Sequence, residues 1–269
     1  MKHRTQISAG WIALMLILLV SPLLAAPIGE MTLERGQVLH IQRDVAMTYT
    51  VPVKAIPVLE GDRFLTGAGT LVRLSLRNGS EQISIYPNTS FKVETQSKDL
   101  TEVFLNSGKI FVAAFIARQL TQFFVSTPTA AVGVKGTQFV VGAAPETTYL
   151  LTTEGTVEFG SVQPPLAATL VSADYASRVI AGQTPSQPVQ VSAAMQVLIL
   201  GADDLTPFEQ IEFGPALPGA QPVSGASPSP SAAVQQADQA ALGTNEARQD
   251  ATQAKGVAGG AVIITLPQP

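Results

Sequence analysis

Few residues of this chain carry the side chains that enzymes most often use for catalysis. The sequence has no Cys and two His, of which only His40 lies beyond the first 26 residues. A Ser-His-Asp relay would require His40, but no G-x-S-x-G elbow accompanies it. The missing thiols exclude disulfides, thiolate metal sites and a cysteine nucleophile. We therefore predict that His40 is a histidine at the edge of the core or at the surface, without a catalytic role.

Carboxylates are the remaining candidates for acid–base chemistry. Two of them could serve as the acid and the nucleophile of a glycosidase if they met across a sheet, but the spacing singles out no pair. These dispersed candidates are Glu102, Glu146, Glu154 and Glu158.

The densest acidic pieces are Asp203-Asp204 and the segment from Glu209 to Glu212. They lack the D-x-D-x-D-G pattern of a calcium loop, so we predict a solvated helix face or a helix cap. The sequence thus predicts neither a metal site nor a cofactor.

The most specific pattern is the segment from Thr127 to Phe139, T-P-T-A-A-V-G-V-K-G-T-Q-F. Pro128 suits a strand entrance or an edge, and Gly136 allows a positive φ or a close backbone approach. The run from Gly133 to Thr137 resembles a P-loop superficially, but the order G-K-[ST] and the following helix are missing. We predict a turn in which Thr137 satisfies backbone groups. Lys135 is expected at the surface or paired with a carboxylate, and a recognition role for it stays open.

These residues resemble the core motif of the FecR domain family, whose pattern is roughly T-P, small residues, V-x-G-T, an aromatic residue and an E-G-x-V turn. Weaker family signals occur upstream in the same order, and the resemblance covers about Gly36 to Gly160. Lys135 departs from the family, which more often has Arg there, and this places any bidentate contact in doubt. The matching positions are Thr127, Pro128, Val134, Lys135, Gly136, Thr137, Phe139, Glu154 and Gly155, with upstream signals at Glu60-Gly61-Asp62, Thr66-Gly67, Arg77-Asn78-Gly79-Ser80 and Asn106-Ser107-Gly108-Lys109.

Short alternating segments separated by turns fill the middle of the chain, a rhythm that predicts an all-β fold. The resemblance implies an elongated, β-solenoid-like or roll-like arrangement, and the sequence leaves a sandwich open as the alternative. Asn78-Gly79 predicts a hairpin with a type I′ turn. Asn106-Ser107-Gly108 predicts a second turn, between strands at Leu100 to Leu105 and Lys109 to Phe115, of which the latter is apolar on both faces and should be central.

The predicted β domain covers residues 27–183, with its core at 36–160. A short helical appendix follows at 184–213. Its first helix is expected from Ser192 to Leu200, where Ala193, Val197 and Leu200 recur at helical spacing. The second is expected from Leu205 to Phe213, with Thr206 as cap and Pro207 at the first position.

Residues 214–269 are rich in Pro, Gly, Ser, Ala and Gln, so we predict a disordered, low-complexity tail. Ala261 to Leu266 is an exception, a short apolar strand-former. Two alternatives are open for it: a frayed terminus, or docking on an exposed sheet edge of the same chain or of a partner.

Residues 1–26 have the order of a cleaved export signal: a positive start, an apolar run from Trp11 to Val20 and small residues before a cut after Ala25. The apolar run is short for a membrane-spanning helix, so no stable span is expected after cleavage. We therefore expect a periplasmic or secreted protein. The net charge of −4 and the lack of a basic cluster exclude nucleic acid as an expected partner.

FecR-type regulators receive a signal from an outer-membrane transporter and control an extracytoplasmic-function sigma factor, which requires an anti-sigma segment ahead of the domain. The 26 residues before Pro27 are too few for such a segment. We therefore expect an exported, non-enzymatic binding, scaffold or signal-receiving module, whose partner is an envelope protein or a cell-wall component. The alternatives are an accessory of sigma-factor signalling and, third, an envelope glycan hydrolase.

Overall fold

The computed structural model describes residues 26–217, except 51, 98–99, 115–121 and 135. Strands are the main regular structure of the described part, which contains seventeen strands and two short α-helices. The all-β prediction is therefore confirmed. The predicted export signal and most of the predicted disordered tail lie outside the described residues, as does Lys135.

The strands form two stacked, mostly antiparallel layers that share one long strand, β9 (Leu100–Ala114). Sheet 1 contains, in spatial order, β4 (Val53–Val58), β1 (Gly29–Arg35), β6 (Leu71–Leu76), β7 (Glu81–Ile85), the second half of β9, β12 (Thr137–Ala144), β13 (Thr147–Glu154), β16 (Tyr175–Ile180) and β17 (Val189–Gln190). Sheet 2 contains β3 (Val45–Tyr49), β2 (Val38–Gln42), β5 (Arg63–Thr66), β8 (Ser90–Gln96), the first half of β9, β10 (Gln122–Ser126), β11 (Ala130–Val134), β14 (Thr156–Ser161) and β15 (Ala168–Ser172).

The chain passes back and forth between the two layers while it advances along both of them. Only the β9–β10 pair is parallel among the described strands. The inward-facing residues of both sheets form one continuous hydrophobic core that extends from Met31 in β1 to Val179 in β16. The layers therefore face each other as in a sandwich, while the stepwise advance is that of the roll-like arrangement which the resemblance implied.

The prediction of a turn at Asn106-Ser107-Gly108 is wrong, because β9 continues through these three residues. Residues up to Ser107 pair with β8 in sheet 2, and residues from Gly108 onward pair with β12 in sheet 1. Gly108 has φ +96°, and a Cβ there would lie 2.3 Å from Thr89 Oγ1. The Thr89 hydroxyl occupies that space and accepts the Lys109 N–H at 3.0 Å. The glycine therefore bends one strand from one layer into the other. The second half of β9 is central, as predicted, between β7 and β12.

The hairpin predicted at Asn78-Gly79 is present between β6 and β7, but its turn is not the two-residue type I′ turn. Leu76 pairs with Glu81, so four residues make the connection, and Arg77 to Gly79 form a 3-10 turn with positive φ at each position. Arg77 Nε lies 2.7 Å from Glu81 Oε1 and 2.8 Å from Thr101 Oγ1. These tertiary contacts hold Arg77 in the wider turn.

Helices α1 (Ala193–Gly201) and α2 (Thr206–Glu209) cover the outer face of sheet 1. Ser192 caps α1 by accepting the Met195 N–H, as the predicted start implies. The second helix is shorter than predicted, and Thr206 is not its cap. Asp204 Oδ1 accepts the Thr206 N–H at 3.1 Å, and Pro207 lies in the first turn. No helix in the described part of the chain is both long and apolar enough to span a membrane.

After α2 the chain runs back along the edge of sheet 1 instead of continuing as a helix. Ser186 pairs with Ala216, and the Leu217 N–H donates to the Pro185 carbonyl at 3.0 Å. Leu217, the last described residue, therefore lies at the same end of the molecule as β15 and β16.

Candidate functional site

The first half of the predicted motif forms the turn between β10 and β11. Thr127 is fully buried, and its Oγ1 accepts the Ala130 N–H at 2.9 Å. The Thr148 hydroxyl lies 2.7 Å from both Thr127 Oγ1 and Thr129 Oγ1. Pro128 is half-buried at the tip of the turn, and its carbonyl accepts from Gln163. These contacts hold the turn against β13.

The second half of the motif lies at the other end of β11. A Cβ on Gly155, which has φ +82°, would lie 2.7 Å from Thr137 Cγ2 and 3.1 Å from the Gly136 carbonyl oxygen. The two glycine turns therefore pack directly against each other, and the Gln138 side chain donates to Glu154 beside them. Val134 and Phe139 belong to the core.

Thr137 does not satisfy backbone groups, contrary to the prediction. Its hydroxyl is buried and has no hydrogen-bond partner among the described residues. The side chain packs its methyl group against Gly155 instead. Thus the motif is divided between two turns about 17 Å apart, the length of a five-residue strand. Recognition by these residues stays a prediction.

His40 is fully buried in the core, not at its edge or at the surface. Its Nε2 donates to Asp62 Oδ2 at 2.8 Å, and its ring stacks on Phe64 with centroids 4.6 Å apart. The same carboxylate oxygen accepts from Gln42 Nε2 at 2.9 Å and from the Leu59 N–H at 2.8 Å. A carboxylate thus orients His40, as in a catalytic triad, but in the described structure His40 Nδ1 has no hydroxyl partner. The arrangement ties β2 to β5.

Lys109 is also buried, and it joins β9 to the end of α1. Its Nζ donates to the carbonyl oxygens of Ile199, at 2.7 Å, and Ala202, and lies 4.0 Å from the centre of the Tyr86 ring. The Tyr86 hydroxyl donates to the Leu200 carbonyl at 2.9 Å. Carbonyls at a helix C-terminus lack intrahelical partners and favour a cation, so Lys109 caps α1.

Burial lowers the pKa of the Lys109 ammonium to about 8, and the nearby Asp203 and Asp204 carboxylates oppose this shift. Burial also raises the pKa of Tyr86, and Asp203 adds to that increase. The sequence could not assign this role, because the carbonyls that bind Lys109 come from residues about ninety positions away.

A small cleft of about 160 Å³ lies beside this contact, lined by Pro87, Asn88, Gly108, Lys109, Asp203, Asp204 and Leu205. Its charged groups already have partners in the protein. Asp203 pairs with Arg35 at 3.2 Å, and Asp204 accepts the Thr206 N–H at 3.1 Å just ahead of α2. Over the described residues, no three His, Asp or Glu side chains converge as a metal site would need.

The dispersed glutamates do not meet. Glu102 and Glu158 point to the outer face of sheet 2, with β10 and β11 between their strands. Three strand spacings of about 4.8 Å separate them by roughly 14 Å, more than either glycosidase geometry requires. Glu146 lies in the β12–β13 turn and Glu154 at the far end of β13.

The outer face of sheet 2 carries an apolar strip that neither described helix covers. We call this set of residues the sheet 2 strip: Leu39, Ile41, Leu65, Phe104 and Phe124. Leu65 is 42% exposed, and the other four are half-buried. Phe124 lies over Gly133, where a Cβ would be 3.0 Å from its ring. Outward-facing residues of β8, among them the Lys92–Glu94 pair joined at 2.7 Å, lie between Leu65 on β5 and Phe104 on β9. The sequence did not reveal this strip, because its residues come together only through the register of strands that are distant in the chain.

These features define a class: a two-layer, mostly antiparallel β domain that has helices over one outer face and the sheet 2 strip on the other. Residues 62–158 match the family model described as FecR protein, and this match identifies that segment as a FecR domain. The family resemblance predicted from the motifs is thereby confirmed.

Two crystal structures of a candidate anti-sigma factor from Parabacteroides distasonis ATCC 8503 resemble this fold, each at 18% sequence identity and a TM-score of 0.44. The alignments cover 51% of this chain, and 64% and 63% of the two solved chains, so this chain spans less than two thirds of those proteins. A comparison with curated proteins finds no match.

Proposed function

We propose that the chain is a non-enzymatic FecR-domain module that receives a protein partner at the cell envelope through the sheet 2 strip. The observation that carries this proposal is the pairing of a FecR domain at residues 62–158 with an exposed apolar strip beside its central strands. Apolar side chains that lie beside polar ones on an uncovered sheet face are typical of protein interaction sites.

The buried polar groups support a binding role rather than a catalytic one. His40, Lys109 and Glu81 each contact groups of the protein itself: Asp62, the α1 carbonyls and Arg77. Each contact joins two elements of the fold. The envelope location rests on the export signal predicted at residues 1–26.

The test places a photo-crosslinking amino acid at Leu65 or, as the matched control, at Val197. Val197 is 69% exposed but lies on α1, over the other sheet. We expect one discrete crosslinked protein from envelopes at Leu65 and none at Val197. Leu65→Asp should reduce capture of that same protein by at least tenfold, while Val197→Asp should leave it unchanged. Equal capture at both positions, or at neither, would contradict the proposal.

A second candidate function is an accessory role in sigma-factor signalling, which the FecR-domain match favours. Deletion of the gene should then change a defined set of sigma-dependent transcripts. The intact chain should restore them and the Leu65→Asp variant should not. An unchanged transcriptome under envelope stress and iron limitation would remove this candidate while leaving the binding proposal open to the crosslinking test.

A further inference from the structure

The last strand of sheet 2, β15, has one unpaired edge in the described structure. It pairs with β14 only. The Ser161 N–H donates to the Ala167 carbonyl, and the Ala173 N–H donates to the Gly155 carbonyl, both at 2.9 Å. Because bonded pairs alternate in an antiparallel ladder, Thr169 and Val171 direct their backbone groups to β14. The backbone groups of Ala168, Leu170 and Ser172 therefore point outward.

This edge lacks the devices that usually prevent strand addition. β15 reads A-T-L-V-S, with no charge and no Pro. In contrast, β4 at one edge of sheet 1 carries Lys54, Pro57 and a positive φ at Ala55. The other edge of sheet 1 pairs with the segment around Ala216. An uncharged open edge is a template for another strand.

The side chains around β15 would favour an apolar occupant. Leu170 is 66% exposed on the outer face and Leu166 is 58% exposed just before the strand. Val171 is fully buried, on the inner face at the end of the core. A strand beside β15 would need apolar residues at alternate positions to extend the core past Val171.

Residues 261–266, A-V-I-I-T-L, have this pattern. Val262, Ile264 and Leu266 would share one wholly apolar face, and four consecutive residues are β-branched, which suits a strand. The segment is uncharged and contains no Pro, unlike the tail at residues 218–260.

The connection is long enough for this segment to reach the edge. Leu217 lies at the β15 end of the molecule, and 43 residues separate it from Ala261. A flexible linker of that length has an end-to-end distance of roughly 35 Å. The opposite edge, β3, lies about eight strand spacings, or ~38 Å, from β15. The effective concentration of the segment is therefore higher at β15 than at β3.

We propose that Ala261 to Leu266 adds as a strand to the open edge of β15 in the same molecule. The added strand completes the backbone hydrogen bonds of Ala168, Leu170 and Ser172 and covers the end of the core. The proposal does not depend on the function proposed above.

This strand addition is tested by measuring amide hydrogen exchange in the full chain and in a chain that stops after Gly260. We expect the outward amides of β15 to exchange at least tenfold faster without residues 261–269, with no change in β3. Ile264→Asp should reproduce the effect, and the matched control Val257→Asp, outside the segment, should not.

Leu170→Pro removes an outward N–H and leaves the β14 ladder intact. It should abolish the protection of residues 261–266 while exchange in β14 stays unchanged. The proposal is overturned if truncation leaves β15 exchange unaltered, if protection moves to β3, or if protection depends on protein concentration and sedimentation shows a dimer. The last result would assign the edge to a second copy of the chain.

Discussion

Gly108 is the residue at which β9 bends from sheet 2 into sheet 1. We expect Gly108→Ala to lower the free energy of unfolding by about 3–5 kcal/mol, because the methyl group meets Thr89 and the backbone has a positive φ. Gly182→Ala is the matched control, since Gly182 has φ +70° and no atom within 4 Å of a built Cβ. It should cost only about 1–2 kcal/mol. Urea denaturation measures both, and equal losses would contradict this account of the bend.

The lowered pKa of Lys109 leads us to expect that the free energy of unfolding increases with pH. Burial lowers its pKa to about 8 in the folded protein, below the ordinary value of 10.5 in the unfolded chain. Between these values the unfolded state binds more protons, so the free energy of unfolding increases with pH. We expect a gain of about 1–2 kcal/mol between pH 8 and about 9.5.

Denaturant unfolding at several pH values checks this slope, with Lys109→Met as the control that should lose it. The window ends below pH 10 because burial raises the pKa of Tyr86 and Tyr149. Their deprotonation in the unfolded state would lower stability at higher pH. Equal slopes in the two proteins would show that the pH dependence has another source.

At the scale of elements, the sequence located helix α1 but did not indicate which of its sides faces sheet 1. Its residues are almost all apolar, so no polar face indicates which side meets solvent. The spacing of Ala193, Val197 and Leu200 located the helix, but Ile199 is the buried residue and Val197 is 69% exposed. The contacts of Lys109 and Tyr86 with the last turn set the rotation.

We expect Ile199→Ala to cost about 2–4 kcal/mol and to raise amide exchange across α1 and α2, because its side chain fills the contact with sheet 1. Val197→Ala, in the same helix, should change the free energy of unfolding by less than about 0.5 kcal/mol. Urea denaturation and hydrogen exchange measure the two effects. A similar loss in both variants would mean that α1 is not anchored through Ile199.

For the whole molecule, the stepwise topology would favour unfolding in parts, whereas the continuous core favours unfolding in one cooperative step. Repeat-like arrays, in which each unit contacts only its neighbours, can unfold in parts. Here one core connects Met31 near one end with Val179 near the other. We therefore expect a single cooperative transition in which far-UV dichroism and tyrosine fluorescence coincide.

Met31→Ala and Val179→Ala test this expectation from opposite ends of the core. Each should move the same transition to lower urea concentration without splitting it. Two separated transitions in either variant would show that the layers unfold in sections.

Local patterns alone determined much of this protein. Alternation and turn residues predicted the all-β class and the β6–β7 hairpin, because side chains alternate at period two wherever one face of a strand is buried. The spaced motifs from Glu60 to Val157 predicted the FecR domain, which the match at residues 62–158 confirms. Helical spacing predicted a helix from Ser192 to Leu200, close to α1 as it is observed, because that period depends only on residues three and four positions apart.

Only the tertiary structure decided how distant segments meet. The β2–β5 register pairs His40 with Phe64, and Asp62, which directly precedes β5 and is 22 positions away, accepts the hydrogen bond of the ring. Asn106 to Gly108 bend a strand rather than end it, because Thr89, which directly precedes β8, fills the space that a side chain at Gly108 would need. The sheet 2 strip exists because register places Phe104 opposite Ser126 and Phe124 opposite Glu102, so both rings lie on the face that the helices leave open. Such contacts join residues far apart in the chain, so local spacing carries no information about them.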